Sequence, residues 1–139
     1  MVTEFKSGRG YKPQAEPTRE ILQSIPLFKG SSSGAISFRS EEFTSLCPIT
    51  SQPDWAEIII RFSPKDYTLE TKSLKLYLHA FRNFKGFAES INIKILNDIF
   101  GTIKPLWLII RMDWKPRGGI PITTEFARGD TGMPTMSVA

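Results

Sequence analysis

The chain has 139 residues, 40% of them hydrophobic and 23% charged, with a net charge of +4. That is the make-up of one globular domain with one core. A single cysteine excludes an intrachain disulfide framework and a cysteine-based zinc site, and basic residues scattered along the chain suit an anionic small ligand better than nucleic acid, which calls for a concentrated basic stripe.

The N-terminal Met-Val-Thr-Glu-Phe-Lys has no apolar signal core, and no apolar run approaches about 18 residues. A soluble cytoplasmic protein without membrane or direct nucleic-acid contacts is expected. Residues 1–34 read as an N-terminal arm. Gly8, Gly10, Pro13 and Pro17 keep its first part extended, Thr18 is placed to cap a short helical turn through Ile21 and Leu22 that Pro26 ends, and Gly30–Gly34 is a loop.

From Ala35 to Phe43, Ile36 and Phe38 alternate with Ser37 and Arg39, a strand signature. A loop from Cys47 to Asp54, rich in Pro, Ser and Thr, leads to a second strand from Trp55 to Phe62, where Ile58, Ile59 and Ile60 are β-branched. Two strands about one short loop predict an antiparallel hairpin with Cys47 and Asp54 at its mouth. Between Asp66 and Asn83 the period changes: Leu74, Tyr77, Leu78 and Phe81 share one helical face. A second helix is expected from about Phe87 to Ile103, with isoleucines at 91, 95, 99 and 103 and Pro105 as its stop. Leu106 to Trp114 and Ile120 to Phe126 read as strands joined by Pro116-Arg117-Gly118-Gly119, and residues 129–139 as a tail. The order β-β-α-α-β-β over residues 35–128 predicts an α+β domain: one antiparallel four-stranded sheet with two helices on one face. Large apolar residues on both alternations of the third strand predict that a neighbouring subunit covers the other face, hence an oligomer.

Several residues have both a chemical and a purely structural reading. A lone cysteine is most often a small buried hydrophobe; Cys47 instead sits in a loop beside a proline, where a thiol can act as nucleophile if a partner takes its proton. Asp54 is the nearest ionisable group, or an ordinary turn aspartate. Lys72 and Lys75, three residues apart, form a phosphate clamp or a solvated helix start with Thr71 or Ser73 as its cap. Arg117 is a turn residue or a guanidinium for phosphate. Glu89 complements a helix dipole or anchors a purine-like ring. His79 falls off the apolar stripe and reads as a surface residue.

Taken together, Glu42-Phe43-Thr44-Ser45-Leu46-Cys47-Pro48, Gln52-Pro53-Asp54, Glu70-Thr71-Lys72-Ser73-Leu74-Lys75-Leu76-Tyr77, Phe81-Arg82-Asn83 and Pro116-Arg117-Gly118-Gly119 resemble the short, single-module NADPH-dependent 7-cyano-7-deazaguanine reductases, in order and with matching spacing from about Ala35 to Phe126. The resemblance implies the tunnelling fold, with subunits assembled into barrels and active sites between them. It implies reduction of a nitrile to an amine on the route to queuosine in tRNA. On that resemblance Cys47 would form a thioimide with the nitrile carbon, Asp54 would handle protons, and NADPH would supply hydride. By the same resemblance Lys72, Ser73 and Lys75 would belong to the cofactor signature, with Arg117 and Gly118 beside it; Leu69, Glu70, Thr71, Ala88 and Glu89 would line the substrate, with Glu89 holding the ring. Three positions depart from the family pattern: Ala88 where histidine is usual, Thr71 where serine is commoner, and Ser51 where glycine is usual. Two other activities fit parts of the pattern, an ammonia-adding, amidine-forming enzyme on the same nitrile and a non-catalytic purine- or pterin-binding protein.

Overall fold

The computed structural model describes residues 16–30 and 33–129. Most of the expected arm, two residues of the Gly30–Gly34 loop and nearly all of the tail lie outside them. Four long strands form one antiparallel sheet in the order β2-β3-β5-β6: β2 is Ile36–Leu46, β3 is Pro53–Ser63, β5 is Trp107–Arg117 and β6 is Ile120–Gly129. Between the hairpins run α1 (Thr71–His79), a 3-10 turn (Ala80–Asn83) and α2 (Ala88–Ile103). This is the expected α+β arrangement in the expected order.

A second, two-stranded sheet was not expected. Residues 24–26 (β1) pair with 67–69 (β4), and Leu22 just before them is buried in the core. Part of the segment read as an arm is therefore built into the fold. The short helix expected there is a 3-10 turn, Arg19–Ile21, that uses the Thr18 carbonyl and no side-chain cap.

One face of the sheet carries Phe43, Ala56, Ile58, Ile60, Phe62, Leu108, Ile110 and Met112, all buried. Strand alternation puts them on the same side, and α2 packs there against β5 and β6 through Ile91, Ile95, Ile99 and Ile103. The stripe of Leu74, Tyr77 and Phe81 seats α1 and the 3-10 turn on the same core. Phe81 ties this region to β2: its ring centroid is 5.4 Å from Phe43, 5.3 Å from Tyr77 and 5.4 Å from Phe84. The opposite face differs from its expected apolar character. Trp55, Ile59, Trp107 and Ile109 do lie on it, but Arg39 pairs with Glu57, Arg61 sits over Trp107, and Arg111 pairs with Asp113. Charged side chains thus interleave the large apolar ones.

Candidate active site

The site is built from the end of the β2–β3 hairpin. Cys47 N–H donates to the Gln52 carbonyl (2.8 Å) and Ser51 N–H to the Cys47 carbonyl (2.9 Å), closing a tight turn over 47–52. Ser51 has φ of +63°, the left-handed region that glycine occupies without steric cost. Both strands run further than their alternation indicated, so Asp54 lies inside β3, opposite Ser45, and not in the loop.

Arg117, at the end of β5, reaches across to this turn. Its Nη1 donates to Asp54 Oδ1 (2.7 Å), and its Nη2 donates to Gln52 Oε1 (2.8 Å) and Thr50 Oγ1 (3.2 Å). The reach is possible because β5 and β6 turn at the same end of the sheet. Gly118 (φ +62°) and Gly119 (φ +80°) make that tight hairpin, and a one-residue register shift between Trp114 and Arg117 lets β5 bend there. Cys47 is half-buried. Its thiol is brought down to about 7, first by the Thr50 hydroxyl, then by the backbone N–H groups of Thr50 and Ile49, with Arg117 adding to the effect. Thiolate is the reactive form of cysteine, so this thiol is primed at neutral pH.

The segment before α2 lies beside the nucleophile. Leu46 N–H donates to the Phe84 carbonyl and Gly86 N–H to the Leu46 carbonyl, so α2 begins next to the Cys47 turn. Ala88, in its first turn, is half-buried against the core, and Glu89 is exposed. The carboxylate expected as a ring anchor therefore lies toward the Cys47 end of the sheet and is open to solvent.

Other sequence-named residues lie elsewhere. Leu69, Glu70, Thr71, Lys72 and Ser73 cluster at the start of α1 and Lys75 lies at its middle, whereas the 3-10 turn after α1 abuts the Cys47 end; the helix start and that end are separated by roughly 20 Å of helix. Neither Thr71 nor Ser73 caps α1. Glu70 does, its carboxylate accepting from Ser73 N–H (2.7 Å) and Lys72 N–H (3.1 Å). These bonds hold the Glu70 carboxyl below its ordinary range. Ser73 is buried; its hydroxyl donates to the Glu70 carbonyl and accepts from Gln23 N–H. Both bonds are internal, so the hydroxyl fixes the helix start. The Leu69 side chain is likewise in the core. Lys72 and Lys75 are exposed.

Between the two ends, a cavity of about 440 Å³ opens between α1 and the bulged part of β2. Phe43, Ile58, Leu74 and Leu78 floor it, and Thr71, Lys75, His79 and Arg82 follow one helix face along it. Its size and apolar floor suit a small ligand, but Cys47 and Asp54 are not part of it. His79 is half-buried and contacts Arg82; burial, then Arg82 and Lys75, push its pKa down. Sequence reasoning assigned Thr50 no role and Gln52 none beyond its place in a motif, because nothing local distinguishes a turn polar residue that receives an arginine from across the sheet.

Comparison with known proteins bears on this geometry. Residues 53–132 match the family described as QueF-like protein. The NADPH-dependent 7-cyano-7-deazaguanine reductase of Granulibacter bethesdensis is 40% identical over 88% of this chain and 80% of its own length. The chain belongs to this family. The reductase of Allorhizobium ampelinum is 39% identical over 92% of this chain and 89% of its own length. Among solved structures, the archaeosine synthase QueF-Like in its apo form aligns with a TM-score of 0.63 at 17% identity, covering 74% of this chain and 99% of that one. At that identity the likeness concerns the fold. Among the described residues no helix is long and apolar enough to cross a membrane.

Proposed function

We propose that this chain reduces the nitrile of 7-cyano-7-deazaguanine to the aminomethyl group through a thioimide on Cys47, as a cytoplasmic step toward queuosine in tRNA. The observation that carries the reading is the Cys47 turn: a thiol brought down to about 7, with the Asp54 carboxylate tied to the same turn by Arg117. A nitrile is a poor hydride acceptor, and addition of sulfur turns it into a more electrophilic C=N carbon. In that addition the sulfur bonds to carbon, one C–N π bond opens, and the nitrogen gains the proton that leaves the thiol. Asp54 is placed to carry it. Glu89, beside the turn, accepts the ring N–H donors.

NADPH, when bound, supplies hydride, and taking a nitrile to an amine uses two of them. The exposed Lys72 and Lys75 fit its phosphates, and Thr71 and Lys75 line the cavity alongside α1. Ser73 supports that segment from beneath. The lysine end and the Cys47 end stand apart within one chain, so we place the complete site between two copies of a homo-oligomer, with the helix start of one facing the Cys47 turn of the next.

Intact mass spectrometry after mixing with 7-cyano-7-deazaguanine tests the reading. A covalent adduct is expected, lost in Cys47→Ala and discharged by NADPH with its oxidation. No adduct overturns the covalent mechanism; an adduct that persists with NADPH overturns the reductase and leaves an ammonia-adding activity to test.

A further inference from the structure

We propose that Arg117 is a positioning residue for the covalent step: its guanidinium fastens the 47–52 turn to Asp54 and holds nucleophile and proton carrier as one unit before any cofactor binds. The inference deepens the reading above and rests on it. Sequence alone suggested a phosphate ligand. The geometry adds a role within the chain: three of the five guanidinium N–H groups already donate to the turn, Nη1 to Asp54, and Nη2 to Gln52 and Thr50. A planar fork can hold three acceptors in a fixed relation, which the flexible point charge of a lysine cannot.

Stability is a poor explanation for this arrangement. The Arg117 side chain is 39% exposed and that of Asp54 20%, and ion pairs so exposed contribute little to folding. Chemistry explains it better. Thr50 Oγ1 accepts from Arg117, so its single hydrogen is left to point at the thiol. The positive charge near sulfur favours thiolate. Asp54 is held at the distance the fork dictates, ready to receive the thiol proton and pass it to the nitrile nitrogen, a step with no net gain or loss of electrons. From β5 and β3, Arg117 and Asp54 are the charged groups bonded at the turn; Lys85 is bridged to Leu46, and Glu89 follows it in the first turn of α2.

The test uses reactions that need no cofactor. In Arg117→Gln, adduct formation with 7-cyano-7-deazaguanine slows about tenfold or more at pH 7, the loss of one good charged hydrogen bond, and the pH midpoint for iodoacetamide modification of Cys47 rises. Arg117→Lys restores the midpoint through its charge but recovers the adduct rate only in part. Thr50→Val, an exposed substitution, raises the midpoint with Arg117 intact. The iodoacetamide midpoint reads this inference even if the wild-type protein forms no adduct, so the two failures are distinguishable. Arg117 variants with unchanged adduct rate and midpoint, and only a higher KM for NADPH, would make Arg117 a cofactor ligand and overturn the proposal.

Discussion

The two ends of α1 are built on different plans. At the Cys47 end, one chain assembles a closed polar cluster: a strained turn, a primed thiol, a carboxylate and an arginine that joins them across the sheet. At the Glu70 end, polar groups are spent on starting the helix, and Lys72 and Lys75 are exposed, Lys75 beside the cavity. A single copy therefore prepares its own nucleophile yet leaves its basic residues for something outside itself. The covalent step asks for preorganisation of a few atoms within one turn; holding a large anionic cofactor asks for an open surface.

The largest effect tests whether the two ends serve one site across two copies. Cys47→Ala and the double variant Lys72→Ala/Lys75→Ala are each expected to lose NADPH oxidation. Refolded together in equal amounts, they should recover about a quarter of wild-type turnover, the share of interfaces that receive both intact halves by random assembly. Recovery of nothing would mean that one chain supplies both ends, with an extended dinucleotide lying along α1, and the comparison would become one of two parts of an intrachain site.

The pH dependence of the Cys47 end is the next largest. Because the folded thiol is brought down to about 7 from its usual range, the thiolate form, and with it the rate of iodoacetamide modification, should rise with a midpoint near pH 7 and level off above it. A midpoint at the usual thiol value, about 8.5, would show that the turn does not prime the cysteine. Fluorescence or mass detection of the labelled protein across pH measures this directly.

Helix and strand periodicity made most of the fold legible. Leu74, Tyr77 and Phe81, and the four isoleucines of α2, fall where their spacing puts them. The β1–β4 pair was not legible, since three-residue strands such as 24–26 carry no alternation to read. Nor was the Glu70 cap, because glutamate is outside the usual N-cap set and works here by folding its longer side chain back onto the next turn. The resemblance named the site residues; what it did not carry is that Leu69 and Ser73 are buried, with the Ser73 hydroxyl bonded to Glu70 and Gln23. Arg117 and Asp54 are 63 residues apart, and only the shared end of two hairpins makes them partners.

Ala88 offers a smaller test, on the step that follows the adduct. It occupies the first turn of α2, beside the Cys47 turn, and stands where the family usually carries histidine. Ala88→His should raise steady-state NADPH oxidation by about tenfold, one hydrogen bond to the reacting group, while leaving the rate of adduct formation unchanged. A matching rise in both rates would place the new imidazole with the nucleophile and blur the division between the two ends; no rise in either would show that this chain positions its substrate without it.

The smallest effect concerns the strain in the turn itself. Ser51 at φ +63° carries the penalty of a side chain in left-handed backbone, about 1–2 kcal/mol. Glycine removes that penalty but gives the unfolded chain more freedom, at about 0.5–1 kcal/mol. The difference favours Ser51→Gly by roughly 0.5–1 kcal/mol, seen as a higher urea midpoint with unchanged m-value. The Ser51 side chain is exposed, so little contact is lost to offset the gain. If the midpoint falls instead, the serine is holding the turn closed, and the strain belongs to the same preorganisation that primes Cys47.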